Sequence, residues 1–467
     1  MASRLAPAAT ATSPTAASHE PDATTASWYG LAVLILLGLF AVLDRQVFVL
    51  QAEAIRTQLA LSDFQLGLLQ GLGVSLFAAV AGYPIGWLAD RHDRRQVLAV
   101  CVLVWSLAVV ACGLAQNFMQ LFLASAMVGA GEAGLLPVIF ALIPEMFRSH
   151  QRQLANSLNM VASRVGVGLV IALCGYLTVL ADAARPWLPE ALQAMDTWRL
   201  SFFAAVLPAP LFIVLLLTLP VRARAKKAPL VAVATGAVNH TPGSNPARSD
   251  LWPYLRANIA GIGGLLLGLT VAIFGFAAIG VWLPVAAMRQ FGATPTQVGA
   301  ALGTATFISA GIGLVLTVYG MRWLTSRFGV RVPIVALAAS FALGGLAIAL
   351  LPLATSTDTL FLLYGVHLTA VMMGIMAYPT ALQDVAPAAL RSRIFAISGV
   401  LGIALPSAAP PIVGALSDLF KHRPDGLLLV TVAVGSGALL LGAAVLAWTA
   451  RHHANVVQAA AEADRNA

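Results

Sequence analysis

The sequence predicts an all-α membrane protein with twelve transmembrane helices in two pseudo-symmetric six-helix bundles. The chain has 467 residues, of which 59% are hydrophobic and 10% charged, whereas soluble domains carry about 25% charged residues. Twelve apolar segments follow one another, and each is long enough to cross a hydrocarbon core of about 30 Å. The first six segments and the last six also carry charges at matching helix ends.

The order of polar and apolar stretches divides the chain into five parts. Residues 1–27 are rich in Ala, Thr, Ser and Pro and are expected to form a disordered cytoplasmic tail. The N-terminal half covers residues 28–219, a polar cytoplasmic linker covers 220–255, the C-terminal half covers 256–449, and a second tail covers 450–467. The predicted spans are 28–50, 64–89, 95–116, 118–146, 153–181, 199–219, 256–288, 295–321, 330–352, 358–384, 391–419 and 426–449.

Positive charge predicts the orientation. With the N-terminus in the cytoplasm, 19 of the 27 Lys and Arg residues lie in the cytoplasmic tails, loops and linker, and six lie on the outer side. This bias predicts a plasma (inner) membrane protein with both termini in the cytoplasm. Because the positive charge is spread over short loops rather than one folded face, nucleic acid is not an expected partner.

The charges that match between the halves predict a duplicated unit. Segment 4 ends at Glu145, with Arg152 seven residues later, and segment 10 ends at Asp384, with Arg391 also seven residues later. Parallel six-helix repeats with a substrate site between them are a known transporter plan.

The most unusual membrane segment is the fourth, which contains Gly129, Gly131, Glu132 and Gly134. A charge at membrane depth costs several kcal/mol and survives mainly beside a partner or a wet cavity. The glycines allow a neighbouring helix or a ligand to come close. The stretch matches G-x-G-x-x-G, but no strand precedes it, so a dinucleotide site is excluded. We interpret Glu132 as part of a transport site, with a purely structural tie as the alternative.

Other charged and polar side chains lie at a similar depth. Asp44 and Glu132 are each about 22 Å from the cytoplasmic end of their segments, and Arg164 is about 17 Å deep. A polar stripe in segment 5 predicts either a cavity or interhelical hydrogen bonds. Arg45 diverges from Asp44 by about 100° and is expected either to act as a counter-charge or to extend toward the outer interface. The coupling and substrate candidates are Asp44, Arg45, Glu132, Arg164, Asn156, Asn159 and His367, with His367 more often a structural residue in such a context.

A second set of charges predicts a cytoplasmic gate between the halves. The loop after segment 2 places one acid, Asp90, among several arginines. Ion pairs there would hold the halves together and would have to break when the protein opens inward; a simple positive-inside anchor is the alternative. The gate candidates are Gly86, Asp90, Arg91, Arg94, Arg95, Glu145, Arg152, Asp384 and Arg391.

These motifs resemble those of the major facilitator superfamily, whose members carry G-x-x-x-D-R-x-G-R-[RK] in this loop. Gly86, Asp90, Arg91, Arg94 and Arg95 match, and Asp93 stands where the pattern has glycine. The chain further resembles the spinster-like branch, through Asp44-Arg45, Leu66-Gly67-Leu68-Leu69-Gln70, Gly129-Ala-Gly131-Glu132 and Val413-Gly414-Ala415-Leu416-Ser417-Asp418. The resemblance implies the major facilitator fold and secondary transport, associated in several members with lysolipids or sphingolipids and with proton coupling.

One position departs from the spinster-like pattern. The branch usually has arginine two turns before the glutamate, and here that position is Ser125. The resemblance implies that such an arginine holds an anionic head or partners the glutamate. Arg164 is the candidate replacement because its depth is similar.

The sequence therefore predicts a secondary transporter, expected to be a monomer in the lipid bilayer, that moves a small amphipathic or anionic solute with protons. The solute classes left open are a lysolipid or sphingolipid-like molecule and an organic anion or sugar acid. A non-transporting receptor or sensor is the alternative of another class. No enzyme, cofactor or metal is expected, because catalytic motifs such as H-E-x-x-H and G-x-S-x-G are missing from the sequence and its three cysteines match no metal motif.

Overall fold

The computed structural model describes residues 25–147, 149–219 and 251–465, and the regular secondary structure in these ranges is helical. The described residues contain twelve helical segments long and apolar enough to cross a membrane, which confirms the predicted fold class. The spans are α1 Thr25–Gln58, α2 Asp63–Arg91, α3 Arg94–Leu114, α4 Phe118–Met146, α5 Leu154–Trp187, α6 Thr197–Leu217, α7 Ile259–Phe291, α8 Pro295–Val315, α9 Trp323–Leu353, α10 Thr357–Asp384, α11 Arg391–Leu419 and α12 Gly426–Arg465. Most of the predicted N-terminal tail and residues 220–250 of the predicted linker lie outside the described residues.

The helix at the C-terminal end is longer than the sequence predicts. The predicted span stops at residue 449, where the apolar run ends, but α12 continues to Arg465. The extra turns are rich in alanine, which favours helix without requiring a membrane. They also bury Val456 and Ala460, and Val456 fits against the bare backbone of Gly261 at the start of α7.

The fourth span is interrupted immediately after its glutamate. One helix runs from Phe118 to Glu132, and a second runs from Leu135 to Met146. The glycines on either side of Glu132 bring α4 against its neighbours, because a Cβ at Gly131 would lie 2.6 Å from the Cβ of Trp105 on α3. A Cβ at Gly129 would overlap the backbone of Val74 on α2. The sequence-based expectation that these glycines admit neighbouring helices is confirmed.

The two halves meet along two helix pairs, α2 with α11 and α5 with α8. A side chain at Gly67 would overlap the backbone of Pro410, and one at Gly414 would overlap the backbone of Asp63. In the second pair, a Cβ at Gly299 would lie 2.7 Å from the Cα of Gly175. Both pairs therefore need glycine for this close approach.

The close packing is confined to one end of the bundle. We call the end at which residues 220–250 connect the halves the linker end, and the opposite end the far end. At the far end α2 and α11 are in backbone contact, but toward the linker end they are largely uncovered. Ala89 is the buried residue of the stretch Val74–Arg91, and Ile394 and Ser398 are those of Arg391–Ala404. The molecule is thus closed at the far end and open at the linker end.

Matching side-chain contacts support the predicted duplication. Arg152 donates to the Phe147 carbonyl, two residues after Glu145, at 3.1 Å, and Arg391 donates to the Ala386 carbonyl, two residues after Asp384, at 3.3 Å.

A second matched pair lies at the linker ends of α2 and α9. Arg91 covers the ring of Trp87 at 3.8 Å, and Arg327 covers the ring of Trp323 at 4.8 Å. Each half therefore contains both the arginine–carbonyl contact and the arginine–tryptophan contact.

Candidate functional site

Arg45 and Glu132 form an ion pair in the middle of the N-terminal half. The Arg45 Nε lies 2.7 Å from Glu132 Oε2 and one terminal nitrogen lies 2.6 Å from the same oxygen. The Glu132 side chain is 4% exposed, whereas that of Arg45 is 57% exposed. An exposed arginine at mid-span is far too costly on a lipid face, so Arg45 borders the open space between the halves. The expectation that Arg45 extends to the outer interface is wrong, because Glu132 holds it at membrane depth.

Asp44 lies about 100° around α1 from Arg45, and its side chain is buried. The indole Nε1 of Trp105 on α3 donates to Asp44 Oδ2 at 2.6 Å. The second oxygen of Asp44 and Oε1 of Glu132 have no hydrogen-bond partner among the described residues. Two buried carboxyl groups thus each retain one oxygen that can carry a proton.

Ser125, which stands at the position of the branch arginine, hydrogen-bonds to its own helix. Its hydroxyl donates to the Leu121 carbonyl at 2.8 Å, one turn back on α4, and its side chain is buried. Arg45 from α1 therefore supplies the partner of Glu132 that the missing arginine was expected to provide. The proposed substitute, Arg164, has its backbone in α5, but its side chain lies outside the described residues.

The polar stripe of α5 contains a buried oxygen without a described hydrogen-bond partner. Asn159 is buried, and the Oδ1 of Asn156 has no hydrogen-bond partner among the residues that the structure describes. No described contact joins these amides to Arg45 or Glu132.

His367 is separate from this site. Its Nδ1 lies 3.1 Å from the Gly344 carbonyl oxygen, and its ring stacks at 5.9 Å from Phe276 and 5.7 Å from Tyr364. All of these contacts lie within the C-terminal half, and the side chain is fully buried. Its Nε2 has no hydrogen-bond partner among the described residues, so a coupling role for His367 stays a prediction, separate from the Arg45–Glu132 pair.

Comparison with known proteins identifies the family. The model of the Major Facilitator Superfamily matches residues 34–409. The chain belongs to the Major Facilitator Superfamily. A spinster homolog 3 protein of Danio rerio is 29% identical over 34% of this chain and 32% of its own length. A probable 4-methylmuconolactone transporter of Cupriavidus pinatubonensis is 28% identical over 36% of both chains. These matches span about a third of each relative's length, and the Danio rerio match confirms the predicted spinster-like resemblance.

A solved structure extends the similarity to the whole fold. The crystal structure of a bacterial homologue of the human lysosomal transporter Spinster, inward-facing and unoccupied, superposes with a TM-score of 0.73 at 21% identity. The superposition covers 93% of this chain and 98% of the homologue. The protein is therefore an integral membrane protein with the major facilitator fold.

The major facilitator loop motif after α2 is bound within its own half. Arg94 lies 2.6 Å from Glu145 Oε1 and 3.7 Å from Asp90 Oδ1, and it also donates to the Ala141 carbonyl. Arg95 pairs with Asp93 at 2.7 Å and donates to the Leu219 carbonyl.

Asp93, the departure from the family glycine, caps the first turn of α3 by accepting from the Arg95 amide at 2.9 Å. It also pairs with the Arg95 side chain. Local contacts at the start of α3 therefore explain the aspartate at this position. Gly86 and Arg91 lie in the last two turns of α2, at the linker end.

An ion-pair cluster that sequence reasoning missed joins the halves at the far end. Arg289 at the end of α7 forms a two-pronged pair with Asp63 at 2.6 and 2.8 Å, and its Nε donates to Glu53 at 2.7 Å. Arg56 pairs with Glu53 at 2.7 Å and lies 3.9 Å from Asp63. We call this cluster, comprising Glu53, Arg56, Asp63, Arg289, Ser417 and Asp418, the far-end latch.

Residues of α11 complete the latch from the C-terminal half. The Ser417 hydroxyl donates to Asp63 Oδ2 at 2.9 Å. The Asp418 carboxylate accepts from the backbone amides of Asp63 and Phe64, both at 3.0 Å, and so caps the start of α2. The two spinster-like stretches around Gly67 and Gly414 thus meet here. The two-pronged ion pair of Arg289 with Asp63 holds together the helix ends that the glycines bring close.

Proposed function

We propose that the protein is a secondary transporter that moves a small anionic or amphipathic solute by alternating access and couples this movement to protons. The observation that supports it is the Arg45–Glu132 pair at the edge of the open space between the halves. An anion that binds Arg45 competes with Glu132 for the same guanidinium group. A proton on Glu132 releases Arg45, so proton and anion binding favour each other at this site.

The arrangement of the halves supports alternating access. The far-end latch and the glycine contacts close one end, while the other end is open, so the site communicates with a single side. Under the predicted orientation, the open side is the cytoplasm. Rocking of the two halves about the central site then exposes it to the other side.

Among the solute classes that the sequence leaves open, we favour a small organic anion. Arg45 is the cation described at the site, and Ser125 supplies none. The relative described as a probable 4-methylmuconolactone transporter supports the same class, because that lactone carries a carboxylate.

Replacing Arg45 by alanine should weaken anion binding. Losing charge-assisted hydrogen bonds of about 1.5–3 kcal/mol predicts a decrease in affinity of roughly tenfold to a hundredfold. Binding of 4-methylmuconolactone and of a lysophospholipid to purified protein, followed by isothermal calorimetry, measures this change. Arg45→Lys keeps the charge without the two-pronged geometry and should lose less.

The sequence-based hypothesis for Arg164 has its own test. It predicts that Arg164→Ala also weakens anion binding and that Ser125→Arg in the same background restores part of it. Normal affinity in Arg164→Ala, together with reduced affinity in Arg45→Ala, would assign the anion to Arg45 alone.

The loop motif is proposed as the gate at the linker end. Asp90→Asn should reduce the rate of solute transport in proteoliposomes while leaving membrane insertion intact, because one carboxylate among the arginines is lost. Glu190→Gln, which removes an exposed carboxylate from the loop after α5 and outside the gate, is the matched control. Equal transport by Asp90→Asn and the wild-type protein would leave the loop as an orientation anchor.

A further inference from the structure

The C-terminal half contains a large groove that the proposed transport site does not use. It lies between α8 and α10, with Leu343 of α9 on one side, and as an open groove it has a volume of about 1270 Å³. Small-molecule sites usually occupy about 300–1,000 Å³, so this groove exceeds them. It begins at the far end beside Asp358 and continues to Met373, which is about 22 Å along α10.

The walls of the groove are suited to hydrocarbon. Ile308, Leu343 and Leu362 are each at least half exposed, at membrane depth. In a bilayer such side chains contact acyl chains rather than water.

The polar groups deep in the groove are already paired with one another. Thr369 Oγ1 lies 3.0 Å from Ser309 Oγ and 2.9 Å from the Gly365 carbonyl oxygen. The Ser309 hydroxyl lies 3.2 Å from the same carbonyl. Both hydroxyl protons are donated within this cluster, so a ligand that needs a hydrogen-bond donor finds none there, whereas an apolar tail leaves the bonds intact.

The mouth of the groove has the opposite character. Asp358 is exposed there and has no ion-pair partner among the described residues. The hydroxyl of Ser356 at the same mouth is used to cap α10, where it accepts from the Thr359 amide. The mouth therefore presents one unpaired negative charge at the level of the lipid headgroups.

We propose that this groove binds a membrane lipid whose headgroup carries an ammonium group, with an acyl chain lying between α8 and α10 and the ammonium group beside Asp358. The occupant comes from the leaflet at the far end. This site is distinct from the Arg45–Glu132 pair, which is in the other half and favours anions. The lipid is therefore a bound component of the C-terminal half rather than the transported solute.

Photolabelling of the full-length protein in bilayers tests the site. The probes are phosphatidylethanolamine and phosphatidylglycerol that carry the same acyl chain with a diazirine near its end. The amine-bearing probe should label residues 295–316 and 357–373 more strongly than α12, and more strongly than phosphatidylglycerol does. Even labelling of α8, α10 and α12, or equal labelling by both probes, would overturn the proposal.

Two variants separate the tail contact from the head contact. Gly365→Phe should remove groove labelling by both probes, because the nearest atom to a Cβ at Gly365 is the Ala305 Cβ at 3.9 Å and a larger side chain enters the groove freely. Gly437→Phe, at an open position on α12, is the matched control and should not change the labelling. Asp358→Asn should lower labelling by the amine-bearing probe about twofold to fivefold, the range for one exposed charge pair.

If Gly365→Phe does not fold, Ala305→Leu takes its place, because it fills the same part of the groove from α8. Retention of full groove labelling in folded Gly365→Phe or Ala305→Leu protein would contradict the assignment. Retention of the preference for the amine-bearing probe in Asp358→Asn would contradict the role of Asp358.

Discussion

Glu132→Gln should abolish proton-driven accumulation of solute while leaving exchange of labelled for unlabelled solute. The amide keeps the shape of the carboxyl group, yet it cannot take up or release a proton and cannot form an ion pair with Arg45. Exchange needs no net proton movement, so it continues when coupling is lost. Accumulation and exchange are measured on the same proteoliposomes, with and without an imposed pH gradient.

Asp44 is the second candidate for coupling, and Asp44→Asn tests it in the same assay. Its buried carboxyl group accepts from Trp105, and asparagine can preserve this hydrogen bond. At least one of the two amide variants should lose accumulation while retaining exchange. Glu190→Gln, which changes an exposed carboxylate in the loop after α5, is the matched control and should behave as the wild-type protein.

Two outcomes would contradict coupling through these carboxyl groups. Retained accumulation in the Asp44→Asn, Glu132→Gln double variant would leave both residues as structural ties. Loss of accumulation and exchange together would assign them to solute binding or to folding instead.

Arg289→Ala should open the far end of the protein. The guanidinium group of Arg289 joins α7 to Glu53 and Asp63 of the other half, and Asp63 is only 7% exposed. Hydrogen bonds between charged groups contribute about 1.5–3 kcal/mol. Loss of about 2 kcal/mol changes the ratio of far-end-open to far-end-closed molecules roughly thirtyfold.

Spin labels on the two halves measure this change. Labels at Thr57 and Lys421, both exposed near the far end, should show one short distance in the wild-type protein and a second, longer distance in Arg289→Ala. Arg423→Ala is the matched control, because it breaks an exposed ion pair with Asp425 inside one half. An unchanged distance distribution in Arg289→Ala would show that the far-end latch does not hold the far end closed.

The sequence predicts the spans well because apolar length is a local property of the chain. It also identifies Asp44 and Glu132, since a carboxyl group in an apolar segment is visible without tertiary information. It leaves open whether Arg45 or Arg164 is the counter-charge of Glu132, because depth along a helix does not specify which side chains meet across helices; the structure pairs Glu132 with Arg45. The end of α12 is missed for another reason: alanine-rich turns continue a helix beyond the membrane core, where apolarity no longer marks it.

The latch shows what sequence reasoning lacks for contacts between halves. Arg289 and Asp63 are 226 residues apart, and no spacing rule connects them. A usable signal was nevertheless present, because few arginines lie on the predicted outer side and Arg56 and Arg289 both close apolar spans there. Such exceptions to the positive-inside bias are worth examining as partners for acids at neighbouring helix ends.

The central claim, proton-coupled transport, is tested most directly by solute accumulation in proteoliposomes of the wild-type protein. The solutes are 4-methylmuconolactone and a lysophospholipid, each offered with no pH gradient and with a gradient imposed in either direction. Proton coupling predicts that a transported solute is concentrated above equilibrium only when a gradient is present, and that the concentrated solute is the anion. Concentration of a solute to the same level with and without the gradient would contradict it.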